Sequence, residues 1–332
     1  MRHQSQSNRR PVAARMDTHN SAARMQPSAH TSAVRGRVRW SPTKSLWWFA
    51  MTLLALHQAA TGITGPELLV FLTLSAITLC LGHSLGMHRR LIHQAYQCPL
   101  WMEYFFVYCG TLVGMAGPLG MTRTHDTRDW AQRQTHCHDY FAHRQSFWRD
   151  AWWQLHCELV LDHPPHFALD PHIAGSRFYP WLERTWMLQQ LPLAALLWVL
   201  GGWSFVAWRV CARISVSLTG HWLVGHFAHR SGHQDYVVDG AGVQGHNVGL
   251  MGINGLLTMG ECWHNHHHAF PGSAHLGLHA GQPDPGWWVL QVLRRVGLVW
   301  GIMEPHNLPT RPAVRTLAHA TLETSIEHSA PL

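Results

Sequence analysis

The sequence predicts an all-α integral membrane protein: four transmembrane helices in two hairpins, with a cytosolic helical cap that contains histidine boxes (short histidine-rich segments). Three observations support this fold class: long apolar stretches with few charged residues, 18 Trp, and 29 His among 332 residues. An apolar stretch of about 20 residues can cross a bilayer, and Trp is enriched at membrane–water boundaries. Histidine in this quantity indicates metal or proton chemistry.

The N-terminal segment, residues 1–44, contains eight Arg and one Lys against one acid, Asp17. It has no hydrophobic period, so we predict a disordered basic tail; an Arg- and Ser-rich start also fits a transit peptide. The tail accounts for the formal charge of +7. Without a basic face or an aromatic platform, this charge predicts no nucleic-acid partner. Its position before the first apolar stretch favours a cytoplasmic N-terminus.

The first predicted hairpin consists of residues 46–63 and 68–87, both free of Asp, Glu, Lys and Arg. The Gly-Ile-Thr-Gly-Pro sequence at 62–66 predicts a turn between them. The alternative is a pair of buried helices in a soluble protein. If both stretches cross the bilayer, the chain returns to the cytoplasmic side just before His88.

His88 and His93 follow the second apolar stretch. Five residues apart, they would lie about 140° from each other on an α-helix. They can therefore share a metal only if the helix ends or bends between them. His83 lies inside the apolar stretch, where an ionisable residue is a functional candidate; a supporting or packing role is equally compatible with its position.

The next histidines come after residues 100–121, an apolar segment that we place in the membrane interface. His125 is followed at i+4 by Asp129, which lies on the same helical face and can also bind iron. Arg128 cannot bind a metal cation. His136 or His138 can supply a further ligand, and we assign His138.

The second predicted hairpin begins at residue 187 and continues to residue 228, with a turn at Gly201-Gly202. Arg209 is expected to reach the outer interface, and Arg213 to face the interior of the bundle. The segment ends at His229, our assigned ligand. His221 and His226 lie nearby, either as a further ligand beside Gly225 or as interfacial side chains.

The last histidine-rich segment reads Gly-Glu-Cys-Trp-His-Asn-His-His-His-Ala-Phe-Pro at residues 260–271. On a helix, His264, His267 and His268 lie at i, i+3 and i+4 and project from one face. His266 points elsewhere. The flanking residues argue against an engineered tag or a surface polyhistidine patch. A surface helix is expected from residue 286 to 303, followed by a flexible tail at 306–332.

Three of these segments resemble the histidine boxes of the membrane-bound fatty acyl desaturases of the stearoyl-CoA type. Residues 260–271 resemble the third box, and Gly86-x-His88-Arg89-x-x-x-His93-x-x-Tyr96 resembles the first. The second box, His-x-x-His-His, keeps only its first histidine here. Gly225 stands where the family has an Asn ligand. The resemblance covers about residues 45–305, which we take as one membrane domain.

The resemblance implies two iron ions that activate O2 to introduce a cis double bond into a long-chain fatty acyl substrate. It also implies a separate electron-donor protein, of ferredoxin or cytochrome type, with its reductase. The active site and both termini would face the cytoplasm, from the inner or plasma membrane of a bacterium or the endoplasmic reticulum of a eukaryote. The assigned metal ligands are His88, His93, His125, Asp129, His138, His229, His264, His267 and His268.

Two other functions remain open from the sequence. A related histidine-box enzyme could hydroxylate or ketolate a lipid with the same metals and oxygen. A non-catalytic metal carrier or sensor is the alternative from another class. Transporters place ionisable residues near the bilayer midplane, whereas most histidines here follow the apolar stretches.

Overall fold

The computed structural model describes residues 24–249 and 252–317. The fold is mostly helical, and three antiparallel two-stranded sheets lie at its periphery. The sheets pair Met25–Gln26 with His166–Phe167, Gly36–Trp40 with Cys157–Leu161, and Tyr236–Val238 with Val314–Thr316. The helices are Pro42–Ala59, Gly65–Ile77, the π-helix Thr78–Ile92, Leu100–Leu112, Pro118–Arg133, Asp139–Ala142, Phe147–His156, Pro171–Ala174, Phe178–Thr185, Gln190–Val206, the π-helix Ala207–Ala212, Arg213–Ala228, Ile253–Leu257, His264–Ala269, Pro285–Arg295 and the 3₁₀ turn Pro305–Asn307.

Two continuous helices of the described chain are long and apolar enough to cross a membrane, Gly65–Ile92 and Gln190–Ala228. Leucines on the first, such as Leu69, are exposed on its outer surface, as expected for a helix that faces lipid. The second helix is interrupted at Gly201-Gly202, where the backbone leaves helical geometry and Gly202 adopts a φ of 68°. The predicted break at these glycines is confirmed.

The first predicted turn is also present. The helix Pro42–Ala59 ends before Gly62, whose φ is 84°. Thr64 then starts the next helix with a capping box: its hydroxyl accepts from the Glu67 N–H, and the Glu67 carboxylate accepts from the Thr64 N–H. Such a cap satisfies two backbone donors that a helix start leaves free. The turn is therefore fixed by local sequence.

The prediction of a disordered tail through residue 44 is wrong for residues 24–44; residues 1–23 lie outside the described residues. Gly36–Trp40 is a strand because it pairs along its whole length with Cys157–Leu161. Arg24 is buried, with its Nε 2.6 Å from Asp126 Oδ2 and its Nη1 2.8 Å from Asp170 Oδ2. These distant partners order the segment, and local composition does not reveal them.

The C-terminal tail differs from its prediction in a similar way. Val314–Thr316 pairs with Tyr236–Val238, so residues up to 317 are held to the domain, while 318–332 lie outside the described residues. The expected surface helix is shorter than residues 286–303 and spans Pro285–Arg295.

The two arginines of the second hairpin are both buried. Arg213 donates to the Leu112 carbonyl oxygen at 2.6 Å and to Gln190 Oε1 at 3.0 Å. Arg209 lies beside the predicted turn at residues 62–66. It is fully buried, donates to the Pro66 carbonyl oxygen and lies over the Phe205 ring. Backbone carbonyls therefore compensate these charges inside the helical bundle.

The segment that we placed in the membrane interface forms the helix Leu100–Leu112, which packs against the π-helix Thr78–Ile92. Leu85, Phe106 and Leu290 belong to one buried apolar cluster. This packing joins the first histidine segment to the C-terminal helix Pro285–Arg295. It places the end of the π-helix inside the protein rather than at its surface.

Candidate metal centre

The structure brings four imidazoles from three separate segments into one group, the first histidine group. It consists of His88, His93, His125 and His267, whose candidate ligand atoms all lie within 4.8 Å of one another. The ring centroid of His88 lies 4.7 Å from those of both His93 and His267. The centroid of His125 lies 4.9 Å from that of His93. Such convergence is what a shared metal requires.

His88 and His93 lie close together because the helix that leads to them is a π-helix. The stretch Thr78–Ile92 is π-helical, and the His93 N–H donates to the His88 carbonyl oxygen at 3.0 Å. An i→i+5 hydrogen bond brings the two residues into register, and π-helical turns recur at functional sites. The spacing of His88 and His93 required a departure from regular α-helix between them. The structure meets this requirement with a π-helix.

Several ring nitrogens of the first group are buried and have no hydrogen-bond partner in the described parts of the chain. They are both nitrogens of His93 and the Nδ1 atoms of His125 and His267. Buried polar atoms are rarely left unsatisfied in native proteins. A bound cation would satisfy them, so these residues fit a metal.

Glu261 supports the first group from the side. Its Oε2 lies 2.7 Å from His88 Nδ1, and its Oε1 accepts from the Ser84 hydroxyl. Burial alone would raise the pKa of Glu261, but His88 and Arg89 outweigh burial and hold that pKa well below its usual range. A carboxylate on one imidazole nitrogen leaves the other to bind a metal. The sequence analysis missed this role for Glu261.

Arg89, next to His88, connects the π-helix to residues that follow the third histidine segment. Its guanidinium donates to Asp284 Oδ1 at 2.7 Å and to the Ala274 carbonyl oxygen at 2.6 Å. Gly260 lies beside this pair with a φ of 95°, and a Cβ there would come within 2.4 Å of Asp284 Oδ1. Both the backbone conformation and the close approach therefore require glycine at the start of the segment.

The second histidine group consists of His229, His264 and His268. The Nε2 of His264 lies 3.0 Å from that of His229 and 3.1 Å from that of His268. The Nδ1–H of His229 donates to the Gly225 carbonyl oxygen at 2.7 Å, which leaves its Nε2 free to bind a metal. The helix His264–Ala269 thus supplies one imidazole to the first group and two to the second.

His229 and the three histidines His264, His267 and His268 favour the neutral form, which is the form that binds metals. Burial, followed by neighbouring imidazoles, holds the pKa of His229, His264 and His267 well below the usual value. Burial also lowers the pKa of His268 to about 4.

Asp129 faces both groups. Its Oδ1 lies 4.0 Å from His125 Nδ1, and it lines a small cavity together with His267 and His268. Burial lowers the pKa of His125, but the carboxylates of Asp129 and Asp126 outweigh burial and raise it overall. Asp129 therefore adds negative charge where two cations would lie close together.

Our assignment of His138 as a ligand is corrected, because the structure does not bring it into either group. Its Nδ1 accepts from the Tyr140 N–H at the start of a short helix, and its ring lies against Trp153. His136 is exposed and does not join a group either. Arg128 instead donates to Gln154 Oε1 at 2.9 Å.

The alternatives at the end of the second hairpin also lie outside both groups. The His226 Nδ1 donates to the Asp150 carboxylate at 2.7 Å, and the His221 ring contacts the ring of His83. The imidazole next to Gly225 belongs instead to His143, which the sequence analysis did not assign. The sequence signal for His143 is the missing side chain at Gly225. The two residues are far apart in the sequence, and no spacing rule connects them.

Comparison with known proteins gives relatives of one kind, although no family model matches the chain. A sn-1 stearoyl-lipid 9-desaturase of Anabaena variabilis is 36% identical over 77% of this chain and 93% of its own length. A sn-2 palmitoyl-lipid 9-desaturase of Nostoc sp. (strain 36) is 32% identical over 76% of this chain and 82% of its own. An acyl-CoA 5-desaturase of Anemone leveillei is 30% identical over 72% and 73%. With these similarities over most of its length, the chain belongs to the fatty acyl desaturase family, oxidoreductases that form double bonds in fatty acids.

Proposed function

We propose that the chain is an O2-dependent desaturase that introduces a cis double bond into a long-chain acyl group at a centre of two iron ions. The observation that supports this most strongly is the meeting of two histidine groups within one fold. They join through His264 and His267, whose ring centroids are 5.3 Å apart. Imidazole and carboxylate donors suit iron, and seven imidazoles exceed the need of one metal.

In this proposal the first group would hold one iron and the second group the other, and Asp129, which lies near His125, His267 and His268, would add a carboxylate. The irons would activate O2 for the removal of two hydrogens from neighbouring methylenes, a step that no side chain can perform. The protein contributes orientation: Glu261 fixes the ring of His88, and the Gly225 carbonyl fixes the ring of His229. Reducing equivalents would come from a separate ferredoxin- or cytochrome-type donor and its reductase.

We further propose four membrane spans. Pro42–Ala59 and Gly65–Ile92 would form one hairpin, and the two parts of Gln190–Ala228 on either side of Gly201-Gly202 the other. The histidines follow the ends of these hairpins, so all of them would lie on one side. The Arg-rich N-terminus supports the cytoplasmic side, in the inner or plasma membrane of a bacterium or the endoplasmic reticulum of a eukaryote.

The substrate would be a long acyl chain attached to a glycerolipid or to CoA, since both attachments occur in the names of the relatives. These relatives are named for desaturation, which favours this reaction over hydroxylation or ketolation. The acyl chain has no polar group near the reacting carbons, so the protein must position it by shape and apolar contact.

The test is lipid analysis of a host that lacks its own desaturase and expresses this chain. We expect a new mono-unsaturated acyl group, found by mass spectrometry in the glycerolipid or the CoA fraction. His267→Ala should abolish this product while the protein remains in the membrane. The matched control, His136→Ala, changes an exposed imidazole outside both groups and should leave the product unchanged. A hydroxylated product, or full desaturation by His267→Ala, would contradict the proposal.

A further inference from the structure

A fourth imidazole, that of His143, lies beside the second histidine group next to Gly225. Gly225 has no side chain, and a Cβ built at this position would lie 3.3 Å from both Cε1 and Nε2 of His143. The ring of His143 is stacked on that of His229, with centroids 5.2 Å apart and planes at 2°. His143 therefore occupies the space that a side chain at 225 would otherwise take.

The Nε2 of His143 is buried and has no hydrogen-bond partner in the described parts of the chain. The residue is 1% exposed, so water does not satisfy this atom from outside. With the proton on Nδ1, this nitrogen has a lone pair, and it lies 3.3 Å from the position that a Cβ of residue 225 would take.

Asp150 holds the other nitrogen of this ring. Its Oδ2 accepts from His143 Nδ1 at 2.9 Å, from His226 Nδ1 at 2.7 Å and from Trp222 Nε1 at 2.9 Å. Burial would raise the pKa of Asp150, but these donors outweigh burial and lower it to about 2. A carboxylate that accepts from one imidazole nitrogen while the other faces a metal is the usual support of a histidine ligand.

His143, Asp150 and His226 are close enough to suggest a separate metal site. Their hydrogen bonds argue against it. Trp222 Nε1 can only donate, and it shares the Asp150 oxygen with both imidazoles, so this oxygen already accepts three hydrogen bonds. The unpartnered atom of His143 is its Nε2, on the opposite side of the ring.

The backbone of His143 supports the same interpretation. Its φ is 51° because the residue ends the short helix Asp139–Ala142 in the left-handed conformation, a common helix end. Arg230 donates to the His143 carbonyl oxygen at 3.1 Å, and the His143 N–H donates to the Asp139 carbonyl oxygen. The side chain is therefore held towards Gly225 by its own backbone.

We propose that His143 is a ligand of the metal in the second histidine group, replacing the side chain that Gly225 lacks, and that Asp150 is its positioning residue. This inference rests on the proposed two-iron function. It explains how the group keeps enough donors although its sequence departs from the desaturase pattern at both Arg128 and Gly225.

The test measures iron per chain and the Mössbauer spectrum of full-length protein purified in detergent. His143→Ala should lower the iron content about twofold, because the second group loses one of its few ligands while the first group stays intact. Adding Gly225→Asn to His143→Ala should restore iron, since the cavity left by the imidazole then accepts an amide ligand. Asp150→Asn should weaken binding of the second iron about 10–100-fold.

The control is His138→Ala, which should keep the wild-type iron content and spectrum. If wild-type protein holds both irons and His143→Ala keeps them with an unchanged spectrum, the inference is overturned and the proposed function stands. If wild-type protein itself binds fewer than two irons, the proposed function fails first. Should His143→Ala not fold, an iron-edge anomalous map of wild-type crystals decides: iron density beside His143 Nε2 supports the inference, and iron elsewhere overturns it.

Discussion

The first and second histidine groups both bring imidazoles together, but different contacts support them. The first is built from four imidazoles; Glu261 contacts His88, and Arg89 pairs with Asp284 beyond the third segment. The second has three imidazoles, and the donors expected beside it are replaced by Arg128 and Gly225. If His143 is a ligand as proposed, a donor missing from one helix is supplied by another segment, in the space that Gly225 leaves open.

The two groups also differ in how many segments of the chain position their imidazoles. The first group depends on a π-helical turn that brings His88 and His93 together, and on the anchoring of Arg24 beside them. The second depends on one short helix and on His229. We therefore expect substitutions in the first group to reduce desaturation and iron binding more than substitutions in the second group.

The largest effect is expected for His93→Ala. The residue is buried, and both of its ring nitrogens lack hydrogen-bond partners in the described parts of the chain. Its loss should reduce desaturation more than about 100-fold, since even indirect metal support contributes 10–100-fold. Product analysis together with iron content is the measurement. Retained activity at a normal iron content would remove His93 from the site.

Glu261→Gln should have the next largest effect, about a 10–100-fold loss of affinity for the first iron. The amide keeps the size of the side chain but removes the charge 2.7 Å from His88 Nδ1. Titration of metal-free protein against a chelator measures this affinity. The second iron serves as an internal control, and its affinity should change little. Equal weakening of both sites would show that Glu261 does not act through His88.

Arg24→Met tests the support of the first group by the N-terminal segment. Arg24 donates to the Ile92 carbonyl oxygen, just before His93, and pairs with Asp126, just after His125. Removing one partner of a buried ion pair costs about 3–5 kcal/mol. We expect a lower midpoint of thermal unfolding in detergent. Arg37→Met, at an exposed position of the neighbouring strand, is the control; an equal shift for both would contradict this role.

The smallest effect is expected for His138→Ala. This imidazole caps a short helix and lies outside both groups. Iron content and product should remain at wild-type levels, with at most a small loss of stability. Loss of one iron in this variant would restore His138 as a ligand and would contradict the positions described here.

Local patterns predicted most members of the two histidine groups. Spacing on one helical turn identified His264, His267 and His268, and flanking residues identified His88 and His93. What local patterns could not predict depends on contacts between distant segments. Arg24 is ordered by Asp126 and Asp170, and His143 is placed by packing against Gly225. The wrong choice of His138 has the same origin, because proximity in sequence to His125 does not establish proximity in space.

The central claim is that the two groups bind two separate irons. Iron per chain in wild-type protein, His267→Ala and His264→Ala, measured by mass spectrometry on folded material, tests it most directly. We expect two irons in the wild type and a loss of about half in each variant, since each variant changes one group. A single iron in the wild type, or complete loss in both variants, would contradict it.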